Sequence, residues 1–592
     1  MNSFLCEYKK NFLYPFSNND NIDTFEYKNI TCTIDNKDST YLDIKNSFFY
    51  ILIGDIYNID ELYILENLNK ETTSKFELIE TLYQKYDKNI FDMLIGDWFL
   101  LIYNSVIDSL IFAQSHLGFC AIYYYMDDNK LFFSNTLEKL LNIDEIPKKV
   151  NYNYIKNIQL FSIPNQYNET SFLHIKTLNP GKYMYIDKNN FIHKKYWYPE
   201  NLEKNKSIKK EEAIIKVKEI FTEAIRARIK DKTIVSSMLS GGLDSSSVSI
   251  ISSILLKEKN KKLNCFSHIP AFDVDKNKIP KNRISSEEKL ILKILDKYPN
   301  IKENFVDSKQ YTILDGIDEY INTFNEIPLN LNAYWLIDIC KKAKELNSDI
   351  LLTGDLGNYT ISYKGAKNSL NIFKYFKLFG LKHTLKEKVI KKLIFYKYKT
   401  IYTINSTFIK ESYINKRYIN RYKLFKFRLI KMNYLNNGKF MLAGHYQRAK
   451  IMGGFVSQLQ LNISDPSSDK ELIEFLYQLP QEFFFSKKGE EKDIIKNFMK
   501  DLTPDKVLFQ KKRGLQASDI FERILLDVDK IENIIKNFKT DDLDFELFNK
   551  TKMLEDLERL RKKELPLESL HSLVKTVAQM KFINYVKDKY KV

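Results

Sequence analysis

Short apolar runs bounded by glycine and polar turns dominate the first 200 residues, and helical spacing enters in force only after them. Phe48 to Ile53 is one such run, and it leads into Gly54-Asp55-Ile56-Tyr57-Asn58. Leu94 to Tyr103 reads as a strand with a glycine turn inside it, and Ser109 to Ala113 as the next strand. His116-Leu117-Gly118-Phe119 turns the chain into Ala121 to Tyr125, and Leu178-Asn179-Pro180-Gly181 turns it into a late strand. Two stretches, Glu77 to Tyr86 among them, carry helical spacing. The pattern predicts strands and hairpins with two helices. From about residue 205 the pattern changes. Lys209 to Ile229 has apolar residues at helical spacing, followed by a buried run from Thr233 and a second helix-forming run, Val248 to Leu256. Leu263 to Ser267 and Ser348 to Leu352 are further short apolar strands. Short buried strands alternating with helices predict an open parallel sheet.

The junction between the first of those strands and its helix carries the chemistry. Leu239-Ser240-Gly241-Gly242-Leu243-Asp244-Ser245-Ser246 is small and polar. A strand, a glycine turn and a helix N-terminus make an anion site, because unpaired backbone N–H groups converge there. Gly241 and Gly242 let the backbone approach a phosphate, and Ser240, Ser245 and Ser246 add hydroxyl donors. Asp244 would repel phosphates unless a cation lay between, so it reads as a Mg²⁺ ligand. The chain lacks G-x-x-x-x-G-K-[ST], and this loop is not G-x-G-x-x-G. A second strand end, Thr353-Gly354-Asp355-Leu356-Gly357-Asn358, is also a glycine turn. Ligands of open α/β sheets bind at the carboxyl ends of strands, so the two loops can face one ligand.

With 592 residues the chain exceeds one core, and two or three domains are expected. Composition is that of a globular protein, 44% hydrophobic and 28% charged. Five cysteines, far apart and with no C-x-x-C, suit a reducing cytosol and offer neither a disulfide framework nor a zinc site. The N-terminus lacks the apolar core of a signal peptide, and nothing reaches the ~18 apolar residues of a membrane span. A cytoplasmic location is expected. The net charge of +16 is local: residues 371–440 hold 18 Lys or Arg against Glu387 and Glu411, which accounts for all of it. That segment alternates basic and aromatic residues, as in Arg421-Tyr422-Lys423-Leu424-Phe425-Lys426-Phe427-Arg428. It reads as an insertion of basic helices. Either it is a solvated face with snorkelling lysines, or it binds an acidic peptide, a partner protein, anionic lipid or RNA.

Ser240-Gly241-Gly242-Leu243-Asp244-Ser245 resembles the S-G-G-x-D-S pyrophosphate loop of ATP pyrophosphatases, which cleave ATP between the α and β phosphates. Together with Gly54-Asp55-Ile56-Tyr57-Asn58, Leu94-Ile95-Gly96-Asp97, Leu117-Gly118 and Leu178-Asn179-Pro180-Gly181, it resembles the asparagine synthetases in domain order across nearly the whole chain. The resemblance implies an N-terminal-nucleophile αββα sandwich at 1–204, a degenerate class II glutamine amidotransferase. It implies a doubly wound, parallel-sheet ATP-pyrophosphatase domain at 205–370 and 441–592, with 371–440 inserted. ATP and Mg²⁺ are the implied cofactors. The implied ATP contacts are Leu239, Ser240, Gly241, Gly242, Asp244, Ser245, Ser246, Ser267, Thr353 and Gly354. Asp244 and the residue at Asn358 are the implied metal ligands; the family has Asp at the second position, and Asp355 stands three residues earlier. Ser286-Glu287 matches the family's small-residue-plus-Glu position, and Lys492 its K-x-x-x-R/K helix. Leu502-Thr503-Pro504 to Gly514-Leu515 matches L-P-x-x-V…K-x-G-F and places the family's catalytic lysine on Lys512, with Lys511 as its neighbour and Asp355 as a second catalytic candidate.

The departures fall in the N-terminal half. The family's nucleophile position is Asn2, and a carboxamide cannot attack a carbonyl. Cys6 lies four residues further in. The oxyanion Asn is Ile53, the Asp that binds the glutamine amine is replaced near Lys75, and R-G-P-D has no counterpart. A working synthetase half beside a dead glutaminase half predicts an amide synthetase that takes its amine from a substrate. The nearest pattern is that of the asparagine-synthetase-like macrolactam synthetases of lasso-peptide biosynthesis. A peptide substrate, and its leader protease, would then be the partners, with no stable nucleic acid and at most weak membrane-surface contact through 371–440. The alternatives are an asparagine synthetase, a β-lactam-synthetase-like enzyme, a tRNA-modifying pyrophosphatase and a non-catalytic scaffold.

Overall fold

The structure, a computed structural model, describes residues 3–9, 23–34, 40–45, 47–118, 120–161, 168–275, 279–328, 333–367, 370–385, 408, 451–539 and 547–591. Twelve strands come first: β1 (Phe4–Lys9), β2 (Asp23–Tyr27), β3 (Ile30–Ile34), β4 (Thr40–Lys45), β5 (Phe48–Ile56), β6 (Gly96–Asn104), β7 (Ser109–Gln114), β8 (Tyr123–Met126), β9 (Lys130–Ser134), β10 (Lys176–Thr177), β11 (Lys182–Ile186) and β12 (Phe191–Lys195). They form two antiparallel sheets, ordered β10-β8-β9-β1-β3-β2 and β12-β11-β7-β6-β5-β4.

Alternation along β5 explains the layering. Phe49, Ile51 and Ile53 point between the sheets, against Phe4 and Tyr8 of β1, and Tyr50 and Leu52 point outward onto the helix Lys75–Tyr86. Both faces are buried, which is why this strand reads as a continuous apolar run. Helices Leu137–Leu141 and Tyr152–Phe161 cover the opposite sheet through Tyr123 and Phe132. The result is the four-layer αββα sandwich expected from the motifs.

One expectation fails here. Cys6 and Cys32 are direct register partners across β1 and β3, both fully buried, and they form a disulfide. Their separation of 26 residues in sequence conceals a Cα–Cα distance of 4.2 Å. The other three cysteines are buried and free.

The second sheet system contains β13 (Val235–Met238), β14 (Leu263–His268), β15 (Arg283–Ile284), β16 (Ile301–Val306), β17 (Ile350–Leu352), β18 (Ile463–Ser464) and β19 (Arg513–Gly514). Five of them make one parallel sheet in the order β16-β14-β13-β17-β18. The chain winds outward in one direction from β13 and then in the other from β17, so these neighbours flank the switch point. Helices Lys210–Ile229 and Leu243–Glu258 pack on this sheet through Phe221, Ile225, Val248 and Ile251. The remaining strands, β15 and β19, pair parallel with each other.

The two halves meet at motif residues. Arg228, 2% exposed, donates to Ser464 Oγ at 2.8 Å and to Asp469 Oδ2 at 3.1 Å. From the sandwich, Asp97 lies 3.8 Å from its guanidinium and the Tyr57 ring 4.6 Å from its Cζ, and Asp97 also accepts the Ser464 hydroxyl. A second joint lies at the far end of the chain. The last helix, Leu567–Tyr590, lies against Tyr152–Phe161, and Gln159 donates to both Thr576 and Gln579 at 2.8 Å.

Of the basic segment, the structure describes the helix Ile372–Thr384, capped by Asn371 and kinked at Gly380 (φ 76°), while the Arg421 to Arg428 run lies outside the described residues. Tyr375 is buried beside Leu370 and Phe485, and Phe373 stands 81% exposed. Among the described residues, no helix is long and apolar enough to cross a membrane.

Candidate active site

The loops after β13 and β17 face each other across a cleft of about 1140 Å³. In the first loop the serine hydroxyls brace the turn. Ser245 Oγ accepts the Ser240 N–H at 3.1 Å and lies 2.6 Å from Ser240 Oγ, which in turn accepts the Gly242 N–H at 3.2 Å. Gly242 is the N-cap of Leu243–Glu258 and supplies no capping side chain. The first-turn N–H groups of Leu243, Asp244 and Ser245 therefore have no partner within the helix, as an anion site requires.

The second loop touches the first through its glycines. A Cβ on Gly354 would meet the Asp244 carbonyl carbon and the Ser245 nitrogen at 2.8 Å. A Cβ on Gly357 would lie 2.5 Å from Asp244 Cβ and Cγ. Both glycines are there because any side chain would push the loops apart.

Asp244 is the buried charge at this contact. Burial raises its carboxyl above the ordinary range, with the Asp355 charge adding to the rise, while Lys492, a hydrogen bond from Ser362 and Arg513 pull it back down. Its Oδ1 is buried without a hydrogen-bond partner. A buried carboxylate oxygen without a hydrogen-bond partner among the described residues suits a hard cation, with phosphate oxygens as its other ligands. Asn358 and Asp355 line the same cleft and are exposed. The donor set fits Mg²⁺ held by one carboxylate and an amide. Lys492 donates to Ser362 Oγ at 3.1 Å, and burial lowers its pKa while Asp244 raises it.

The expected residues divide clearly. Leu239, Ser240, Gly241, Gly242, Asp244, Ser245, Thr353, Gly354, Asp355, Asn358 and Lys512 all line the cleft. Thr353 is buried, with its hydroxyl unpartnered. Ser246 and Ser267 do not line it. Ser246 is fully buried and donates to Leu243 O, and Ser267 donates to Leu239 O at 2.7 Å. Lys512 is exposed at the cleft, on a loop whose Gln510 side chain accepts the Lys512 N–H at 3.1 Å.

Other lining groups were not singled out from sequence. His571 and Lys575 sit one turn apart on the last helix. Burial holds the Lys575 amine down to about 8, and it donates to Ile158 O at 2.8 Å. His268, at the end of β14, stacks on Trp335 with centroids 5.4 Å apart, and burial holds its imidazole down to about 4. Only the i, i+4 spacing on the last helix hinted at the first pair.

In the sandwich, Ile53 is buried in the inter-sheet core and Lys75 opens the helix Lys75–Tyr86. Cys6, bonded to Cys32, has no free thiol. Asn2 lies outside the described residues.

Comparison with known proteins adds the family. Residues 36–197 match the glutamine amidotransferase domain, and residues 216–428 and 460–575 match asparagine synthase. A protein of Methanocaldococcus jannaschii named putative asparagine synthetase (glutamine-hydrolyzing) 2 is 30% identical over 198 residues, 33% of this chain and 38% of that protein. Amidase chyE of Penicillium rubens is 26% identical over 240 residues, 39% of this chain and 34% of the other. The matched stretches thus span little more than a third of these relatives. A solved glutamine phosphoribosylpyrophosphate amidotransferase from B. subtilis, complexed with ADP and GMP, aligns over 40% of this chain and 61% of its own, at 13% identity and a TM-score of 0.20, too slight a likeness to carry an argument. With more than half of its residues in the synthase match and the phosphate loop seated at the switch point of that region, the chain belongs to the asparagine synthase family.

Proposed function

We propose that the protein is an ATP-dependent carbon–nitrogen ligase that adenylates a carboxylate and joins it to an amine. The observation that carries this reading is the contact of the two glycine loops at Asp244, with Lys492 and Lys512 on the same cleft. The first-turn N–H groups after Gly242 orient the β and γ phosphates. Asp244 and Asn358 would hold Mg²⁺, which neutralises phosphate charge. A carboxylate oxygen of the substrate attacks the α phosphorus, the bond to the bridging oxygen breaks, and pyrophosphate leaves. The substrate amine then attacks the acyl carbon, AMP leaves with the bonding electron pair, and the amine proton passes to a base, a role this reading gives to Asp355. Lys512 stabilises the negative charge that builds on the phosphorus oxygens and then on the acyl oxygen.

The amine does not come from glutamine in this reading. Ile53 offers no oxyanion donor, Lys75 reverses a substrate-binding charge, and Cys6 is committed to Cys32. The finer reading is closure of a peptide ring between an N-terminal amine and an Asp or Glu side chain, the reaction of lasso-peptide macrolactam synthetases. A linear peptide with those groups, incubated with ATP and Mg²⁺, should yield AMP, pyrophosphate and a product lighter by one water. The names of the relatives favour a second reading, in which aspartate and ammonia give asparagine. Asparagine formation without ring closure decides for the second reading. Protein-dependent glutamate release from glutamine overturns the claim that the sandwich is catalytically silent.

A further inference from the structure

The loop that carries Lys512 reaches the cleft from far along the chain, and its position depends on what fastens it. The pairing of β15 with β19 sets Arg283 opposite Arg513 and Ile284 opposite Gly514. Arg513 N–H donates to Asn282 O at 3.1 Å, Leu515 N–H to Ile284 O at 2.9 Å, and Arg283 to Gly514 O at 3.0 Å. These bonds join the lysine loop to the segment after β14. None of them joins it to the phosphate loop.

Glu287 makes that connection. It is the N-cap of the helix Glu288–Lys297, yet its side chain makes no capping bond there. The side chain instead lies between two glycines, its carboxylate against Gly514 and its Cβ against Gly241. The packing is close. A Cβ on Gly514 would lie 2.3 Å from Glu287 Cδ and 2.6 and 2.7 Å from its two oxygens. A Cβ on Gly241 would lie 2.7 Å from Leu290 Cδ1 and 3.1 Å from Glu287 Cβ. Burial pushes the carboxyl above its ordinary range, and the backbones of Gly514 and Gly241 offset part of that rise.

We propose that Glu287 is a positioning residue that clasps the lysine loop onto the phosphate loop through Gly514 and Gly241, and so sets where Lys512 stands relative to the bound phosphates. Glu287 touches no reacting atom. It acts through Lys512.

The effect on catalysis rests on the ligase reading; the clasp itself does not. Hydrogen exchange on the full-length protein, without ligand, therefore tests the clasp first. In Glu287→Ala and Glu287→Gln, backbone amides of residues 510–516 should exchange faster, by at least about tenfold in the Ala variant, because the side chain packed between the two loops is cut away or loses its charge. The C-terminal half of the helix Leu243–Glu258 and the sandwich strands should keep wild-type protection. Gln keeps one acceptor oxygen and nearly the same shape, so its effect should be the smaller. Unchanged exchange at 510–516 in the Ala variant overturns the proposal. So does global loss of protection in the Gln variant, which would make Glu287 a scaffold group. The second arm is ATP-dependent pyrophosphate release, where kcat should fall with the KM for ATP nearly constant. If the wild-type protein releases no pyrophosphate with any carboxylate, the ligase reading fails and the exchange arm still decides the clasp.

Discussion

Gly357 lies against Asp244 so closely that a Cβ on the glycine would fall 2.5 Å from the aspartate's Cγ. This contact holds the two loops of the switch point in register, and it gives the first prediction. Gly357→Ala should displace Asp244 and abolish pyrophosphate release almost as fully as Asp244→Ala. Crowding of this kind costs about 1–3 kcal/mol, so the variant should still fold. Paired measurements of pyrophosphate release and thermal melting check it. A fully active Gly357→Ala would mean that the loops are free to separate.

Lys512 is exposed, and among the described residues its N–H donates to Gln510 of the same loop, so it contributes chemistry rather than packing. Lys512→Ala should lower kcat about 10²–10³-fold, the usual loss for one donor to a developing charge, at near-constant KM for ATP. Lys511→Ala should do neither. Steady-state kinetics on the two variants separate the neighbours, and the reverse pattern would reassign the role to Lys511.

Arg228 binds the halves together from a fully buried position between Asp469, Ser464, Asp97 and Tyr57. Arg228→Ala would leave two carboxylates buried without their cation, at a cost of about 3–5 kcal/mol. Arg228→Lys should recover little of it, because an ammonium cannot reproduce the fork that meets Ser464 and Asp469. Chemical denaturation read by fluorescence from Trp98 and Trp197 checks both variants.

Glu303 on β16, opposite Cys265 on β14, has a carboxyl that burial pushes up to about 7, with the Ser267 hydroxyl and the Asn304 N–H offsetting part of the rise. The folded chain therefore holds this proton more tightly than the unfolded chain. Its stabilising effect is complete below about pH 4.5, declines as the pH rises, and is lost above about pH 7, a change of roughly 3 kcal/mol. Glu303→Gln should melt higher than wild type at pH 8 and have a flatter profile between pH 5 and 8. Parallel profiles for the two proteins would place the titration elsewhere.

Local pattern carried much of this organisation. The run from Val235 to Ser245 announces a strand, a turn and a helix because all three signals lie within eleven consecutive residues. Asp355 and Asn358 follow from the same reading at the end of β17, the strand beside β13 in the sheet. What depended on folded geometry stayed hidden. Ser246 looked like a third hydroxyl donor, but its position on the helix turns the hydroxyl back to Leu243 O. Cys6 and Cys32 became partners only through strand register. Glu287 was visible as a motif position, yet the two glycines it packs against come from loops 46 residues before it and 227 after it. Tyr57 and Asp97, which sit in amidotransferase motifs, serve here to grip Arg228, a use no spacing within the sandwich discloses.

The joint between Gln159 and the last helix bears on how the chain is made. Those partners are separated by 417 and 420 residues, so a ribosome adding about 5–20 residues per second delivers the second roughly 20 to 80 s after the first. Through that interval Ile155, Ile158 and Tyr154 have no Leu573, Val577 or Phe582 to cover them, and the newborn sandwich displays a greasy flank. The same late helix supplies His571 and Lys575 to the cleft. Nucleotide binding should therefore arise once this helix has been made rather than when the phosphate loop emerges, and holdase chaperones that cover apolar surface should be most needed while the stretch between the two partners is being translated.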